Sequence, residues 1–282
     1  MKLLALGAVA ACVAVAAAIV WNPFSRPSLE KSTVKLLAEP HTQAPSGDGD
    51  VLTIIYSGDG GWRDLDQQLG KLLVARGMPV LGVSTLSYYW HLRTPEESAR
   101  ELDPMITRYL AQWHKRRVWL IGFSFGADVL PSIVQHLSPA NRARISQMVL
   151  LSPSRDVNFE IALEGYMREN WFKTKLKAVM EKLNPIPHYP SLPRVAALDN
   201  RPPVICYYGT DDSDDSLCSE SDLPAWLVVH AMPGSHHFDE NYPALIDRML
   251  HELPADAAAP ATPTPAAAAS VPAAATTTAV AH

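Results

Sequence analysis

The pentapeptide Gly122-Phe123-Ser124-Phe125-Gly126 follows the apolar run Arg117-Val118-Trp119-Leu120-Ile121 and precedes Ala127, Val129, Leu130, Ile133, Val134 and Leu137 at helical spacing. A short apolar run before it and an apolar helix face after it put the Gly-x-Ser-x-Gly where a strand ends and a helix begins. Such a turn is so tight that the serine takes a strained backbone conformation. Glycines two residues to either side leave room for it. The Ser124 hydroxyl is then held at the C-terminal edge of a sheet, at a helix N-terminus, where a nucleophile sits. A buried structural serine in a chance match is the alternative, and the flanking pattern disfavours it.

The rest of the chain alternates in the same way. Residues 33–38, 51–56, 79–84, 145–151, 204–208 and 225–229 read as strands. Between them, Leu65, Leu69, Leu72 and Leu73 give one face to a helix over 64–76, stopped by Gly77. Pro95 opens another helix with Glu96 and Glu97 in its first turn, and Pro104 is expected to restart it. Strands alternating with helices argue the α/β class, a mostly parallel central sheet with helices on both faces. The folded domain is expected over residues 29–253.

An activated serine needs a base and an orienting acid, and on this architecture they follow it in the order acid, then histidine. Asp212 lies just past the 204–208 strand in Gly209-Thr210-Asp211-Asp212, with Asp211, Asp214 and Asp215 as neighbours that the sequence does not exclude. A solvated acidic loop is the plainer reading. The spacing does not fit a calcium-binding EF-hand loop. After the last strand, Met232-Pro233-Gly234-Ser235-His236-His237-Phe238 offers His236 or His237 as the base, with His236 preferred. Adjacent histidines rarely converge on one ion and no third ligand is evident, so neither a metal nor a cofactor is expected. An oxyanion hole is expected from the backbone N–H of Phe125 and from Asp59 or Gly60 in the loop Ser57-Gly58-Asp59-Gly60-Gly61-Trp62. No Lys-Ser/Thr follows those glycines, which argues against a phosphate loop. Tyr88, Tyr89 and Trp90 follow a strand end, and Tyr89 and Trp90 are candidate pocket residues, with core burial the commoner fate. Asp128, one turn beyond Ser124, is a candidate substrate-binding residue, as is Asp59. Alternatively Asp128 is a favourable charge at a helix N-terminus.

Four motifs in order carry a resemblance. Ser57-Gly58-Asp59-Gly60-Gly61-Trp62, Arg93-Thr94-Pro95-Glu96, the stretch from Gly122 to Pro131, and Pro233-Gly234-Ser235-His236-His237-Phe238-Asp239 look like the VirJ/AcvB family of bacterial virulence proteins. Tyr208-Gly209 and a cysteine to either side of the acidic loop add to it. The resemblance spans roughly residues 30 to 253, although the loop from Thr210 to Leu217 is longer and richer in Asp than the family pattern. It implies an α/β-hydrolase fold, a periplasmic location and hydrolysis of aminoacyl-phosphatidylglycerol, lysyl or alanyl, which changes membrane lipid charge. It also implies the membrane surface as a partner and, for some members, secretion-system components. The alternatives kept open are a general periplasmic carboxylesterase and a non-catalytic adaptor linked to type IV secretion.

The net charge of −5 over 282 residues and the lack of a basic stretch argue against nucleic acid as a partner. Met1-Lys2 followed by an apolar run from Leu3 to Val20 reads as a secretory signal or an uncleaved anchor, residues 1–28 in all. Cys12 sits too early in it to suit a lipoprotein site. In an exported chain Cys206 and Cys218 are expected to pair and to hold the acidic loop beside its strand, two free thiols being the alternative. Between Val157 and Leu198, Tyr166, Trp171, Phe172 and Tyr189 suit either a lid over the site or ordinary core. Residues 254–282 are Ala, Pro and Thr with almost no charge, the composition of a disordered tail.

Overall fold

A computed structural model describes residues 26–37, 49–161 and 187–255. Residues 1–25 of the expected signal or anchor, Tyr166, Trp171 and Phe172 of the expected lid, and the tail beyond residue 255 lie outside the described residues.

The described strands are β1 (Thr33–Leu36), β2 (Val51–Tyr56), β3 (Val80–Val83), β4 (Arg117–Phe123), β5 (Ile145–Leu151), β6 (Asp156–Val157), β7 (Tyr189–Pro190), β8 (Val204–Gly209) and β9 (Val228–Met232). Seven of them form one sheet in the order β1-β3-β2-β4-β5-β8-β9. β1 runs antiparallel to β3 at one edge, and every other neighbouring pair is parallel. β6 and β7 make a separate antiparallel ribbon. The helices are α1 (Asp64–Ala75), α2 (Thr85–Tyr88), α3 (Pro95–Gln112), α4 (Phe125–Gln135), α5 (Pro139–Arg142), α6 (Ser191–Ala196) and α7 (Tyr242–Glu252).

Parallel strands need a crossover between neighbours, and the crossovers place helices on both faces. β2, β4 and β5 are buried along their whole length, which is why they read as continuous apolar runs rather than alternating ones. Their side chains alternate between two cores. Val118 and Leu120 join Leu52, Ile54 and Leu150 against Leu102 and Ile106 of α3 and Leu130 and Ile133 of α4. Trp119, Ile121 and Phe123 join Ile55 and Val149 against Leu65 and Leu69 of α1 and Ile246 and Met249 of α7. Each fully buried Leu or Ile stabilises the fold by about 1.5–3 kcal/mol. The Trp119 indole N–H keeps a partner in the core, the Gln147 side-chain oxygen at 2.9 Å. This is the α/β-hydrolase architecture.

Two local expectations are corrected. Pro104 does not restart α3; a single helix runs through it, opened by a Thr94–Glu97 capping box. Pro104 is exposed, so its missing N–H faces solvent. Leu102, Met105, Ile106 and Tyr109 meanwhile keep one buried face across it. The last strand is displaced from 225–229 to Val228–Met232, because Leu227 N–H turns back to Pro224 O at 2.9 Å. The shift leaves β9 ending next to Pro233, so the histidine loop starts immediately at the sheet edge.

Candidate active site

Because the strands are parallel, the C-terminal ends of β2, β4, β5, β8 and β9 all open on one edge of the sheet. The residues singled out from the sequence sit in the turns there. Ser124 joins β4 to α4 with φ 50° and ψ −120°, a conformation that costs a non-glycine residue about 1–3 kcal/mol. Its N–H donates to Leu151 O at 2.9 Å, and its carbonyl accepts the Asp128 N–H at 3.0 Å. A Cβ on Gly122 would lie 2.6 Å from Ala127 Cα, and one on Gly126 would run into the Tyr56 carbonyl. The two flanking glycines are therefore needed for close packing, as the pattern predicts.

Asp212 ends a 3-10 turn, Thr210–Asp212, directly after β8. Its Oδ2 lies 2.6 Å from Nδ1 of His236, so of the four acids and two histidines it is this pair that the fold joins. The two loops are also tied through their backbones, Asp211 N–H donating to Gly234 O at 2.9 Å. Cys206 in β8 and Cys218 form a disulfide across the acidic loop, with Cα atoms 5.8 Å apart. Asp214 and Asp215 line the same cleft as Asp212.

His236 is fixed from two further sides. Its carbonyl accepts the Ser152 hydroxyl at 3.1 Å, and its ring packs on Phe123 with centroids 5.2 Å apart. His237 packs on the same Phe123 ring at 5.2 Å. Burial first, and then the neighbouring His236, hold the His237 imidazole below its usual pKa. Ser124, Asp212, His236 and His237 share a cleft of about 740 Å³ with the loop Ser152 to Asp156. Among the described residues no three His, Cys, Asp or Glu side chains are placed to hold a metal ion.

Next to this cleft, Asp59, Gly60, Ser124, His236 and His237 line a smaller cavity of about 100 Å³. A Cβ on Gly58 would lie 3.7 Å from Ser124 Cβ, so the Gly58–Gly61 loop faces the serine. The Gly58 carbonyl accepts the hydroxyls of Thr85 and of Ser57, the latter at 3.1 Å. A trans peptide points its N–H opposite to its carbonyl, so these two buried hydroxyls turn the Asp59 N–H away from the protein interior. The Phe125 N–H belongs to the first turn of α4 and has no acceptor within the helix.

Three candidate pocket residues sit elsewhere. Tyr89 is fully buried, its hydroxyl donating to Ser98 Oγ at 3.0 Å and its ring edge-on to Phe125 at 5.2 Å. It is therefore core, because α3 presents a hydroxyl partner on the inside. Trp90, half-buried beside it, is not among the residues lining either cleft. Neighbouring Tyr88 does stack on a cation, but an internal one, the Arg93 guanidinium at 4.4 Å. Asp128 is 7% exposed and accepts the Ser154 N–H at 2.6 Å, tying α4 to the loop after β5. Burial raises its pKa to about 8 against the pull of its Ser154 hydrogen bonds. In the expected lid, Tyr189 is exposed under the Arg194 guanidinium at 4.7 Å, whereas Phe159 and Ile161 are core.

Sequence reasoning missed Asp66. It is 2% exposed, lines the small cavity and sits against the backbone N–H groups of Gly58 and Arg63. Its spacing from Leu69 and Leu73, three and seven residues on, places it on the buried face of α1, and that spacing was the available signal.

A family model described as "Bacterial virulence protein (VirJ)" matches residues 50–257. A comparison with curated proteins finds no match. Among solved structures, the chain is similar to XC6422 from Xanthomonas campestris, described as an a/b serine hydrolase without lid. Identity is 16%, with 79% of this chain and 90% of that one covered and a TM-score of 0.49. A soluble variant of monoglyceride lipase from Saccharomyces cerevisiae matches at 14% identity, over 78% and 90% of the two chains, with a TM-score of 0.49. MenH from S. aureus matches at 14%, over 78% and 97%, with a TM-score of 0.48.

Proposed function

We propose, since the chain belongs to the VirJ family of bacterial virulence proteins, that it is a periplasmic serine hydrolase that cleaves the aminoacyl ester of aminoacyl-phosphatidylglycerol. The observation that carries the chemistry is the 2.6 Å contact between Asp212 and His236 Nδ1 in the cleft that Ser124 lines from its strained turn.

Asp212 holds the proton on Nδ1, which leaves Nε2 as the base. Nε2 takes the Ser124 hydroxyl proton as Oγ attacks the ester carbonyl. The negative charge on the tetrahedral carbon's oxygen is met by the N–H groups of Phe125 and Asp59, the latter favoured over Gly60 by the orientation of the Gly58 peptide. His236 then returns the proton to the departing glycerol oxygen. A water activated by the same imidazole releases the amino acid and restores Ser124.

The substrate rests on the family resemblance and gains support from charge. Among the described residues Asp156, Asp212, Asp214 and Asp215 line the cleft against Arg155 alone, and Arg155 faces Glu220 at 3.7 Å. Such a lining suits an acyl group that carries an ammonium. The disulfide fits an extracytoplasmic compartment, which supports the periplasm. Among the described residues no helix is long and apolar enough to cross a membrane.

The test is release of free amino acid from vesicles containing lysyl- or alanyl-phosphatidylglycerol, with the purified protein beside Ser124→Ala. Release by the wild type and none by the variant is the expected result. No release from either lipid while short-chain esters are cut would leave a general esterase.

A further inference from the structure

A groove of about 370 Å³ lies apart from the Ser124 cleft, between the loop that opens α3 and the β6–β7 ribbon. Its walls come from the loops after β3 and β5, so it opens at the same sheet edge as Ser124. The segment after β5 serves both: Asp156 lines the Ser124 cleft, and Phe159, three residues on, lines the groove. The Arg93 N–H donates to Phe159 O at 3.1 Å and fixes one wall against the other.

The groove is apolar at its rim and positive within. Leu92 and Tyr189 line it and stay 49% and 41% exposed. Arg194 of α6 lies over the rings of Tyr189, at 4.7 Å, and Phe159, at 5.8 Å. Its Nη1 donates to Ser132 Oγ at 3.1 Å, and its Nε is buried without a partner. Nη2 is neither bonded nor fully buried, and no carboxylate pairs with the guanidinium among the described residues. The other charges of the groove are answered: Arg93 by Glu101 at 3.2 Å, and Glu96 lies 3.3 Å from His136. A lone cation among exposed aromatic and aliphatic groups suits the headgroup level of an anionic bilayer. The acidic Ser124 cleft next to it has the opposite sign.

The course of the chain favours the same occupant. Arg26 donates to Leu92 O at 2.6 Å, and Arg93 Nη2 donates to Pro27 O at 2.7 Å, so the N-terminal segment enters the fold at the rim of the groove. The apolar run that ends at Val20 lies six residues before Arg26, at most about 20 Å of chain. An uncleaved run held in a bilayer would keep Leu92 at the lipid surface.

We propose that this groove is a membrane-contact site for an anionic phospholipid of the bilayer, the phosphate on Arg194 and the upper acyl chains on Leu92 and Tyr189. The site goes beyond the hydrolase reading and does not need it. Occupied, it turns the edge that carries Ser124 toward the bilayer.

The experiment places a polarity-sensitive nitrobenzoxadiazole probe on Leu92→Cys in the full chain. Cys12→Ser leaves that thiol as the only one outside the Cys206–Cys218 disulfide. A probe on Gln112→Cys, exposed at the far end of α3 and about 25 Å away, is the reference. Vesicles of phosphatidylcholine with and without phosphatidylglycerol are titrated against each. The residue-92 emission is expected to rise and shift to the blue on the anionic vesicles, and the residue-112 emission to stay unchanged. Arg194→Gln is expected to weaken the residue-92 response about fivefold, the contribution of one cation at an anionic surface, and Arg194→Lys to retain it. A silent residue-92 probe overturns the site whatever the variants do. So does an equal response on neutral vesicles, or an equal loss in Arg194→Lys and Arg194→Gln, which would make Arg194 a brace for α6. A response to soluble glycerol phosphate in place of vesicles makes the groove a free-anion site and overturns the membrane assignment. The hydrolase reading stands or falls separately, on fluorophosphonate labelling of Ser124.

Discussion

Ser124 keeps its backbone at φ 50° only because two glycines and a hydrogen bond to Leu151 hold it there. The sequence foretold that strain, since the pattern needs the turn. It left the partners open among four acids and two histidines. The fold joins Asp212 Oδ2 to Nδ1 of His236, the histidine that the sequence reading preferred, at 2.6 Å. His236→Ala is therefore expected to lower kcat by roughly 10⁴- to 10⁶-fold, the range for loss of a triad member. His237→Ala is expected to stay within about tenfold, because His237 packs on Phe123 and its imidazole is held neutral by burial. Steady-state kinetics on a soluble ester separates them, and the reverse order would exchange the two roles. Tyr89 took the commoner of its two readings, core burial, for a physical reason. The residue after a strand end looks like a pocket wall in sequence, and only the Ser98 hydroxyl on α3 reveals that the fold has an internal partner for it.

At the scale of elements, the core strands β2 and β5 were legible to the residue, and β4 to within two residues of its end, because strands buried on both faces read as nearly continuous apolar runs. The edge strand β9, half-exposed, carried no such signal. Two connections hold the loops at the sheet edge. The Cys206–Cys218 disulfide closes the acidic loop over a separation of 12 residues. Replacing both cysteines by alanine is expected to cost about 3 kcal/mol, roughly 6–12 °C in melting temperature. Activity is expected to fall more than folding alone explains, as Asp212 loosens; thermal melts and kinetics on the same variant measure both. The other connection is Asp128 to Ser154. Its folded pKa of about 8 lies above the ordinary 3.8, because burial favours the neutral acid. The stability it contributes is complete below 3.8 and is lost as the pH rises through about 8. Asp128→Asn keeps the acceptor and removes the proton. Its melting temperature is expected to fall less than that of the wild type between pH 5 and 9. An identical decline in both proteins would show that Asp128 does not titrate there.

For the molecule as a whole, one arrangement brings the parts together. A parallel sheet gathers the ends of β2, β4, β5, β8 and β9 on one edge, and residues far apart in the chain meet in one cleft. Order along the chain predicted that meeting; the 100 Å³ cavity was legible only once α1 was packed against the sheet, although the spacing of Asp66 from Leu69 and Leu73 already put it on the buried face. The central claim is that this edge activates Ser124, and a fluorophosphonate probe tests it most directly. The wild type is expected to gain one covalent adduct by intact mass, mapped to Ser124 by peptide sequencing, and Ser124→Ala none. An unlabelled wild type, or an adduct that persists in the variant, would contradict it.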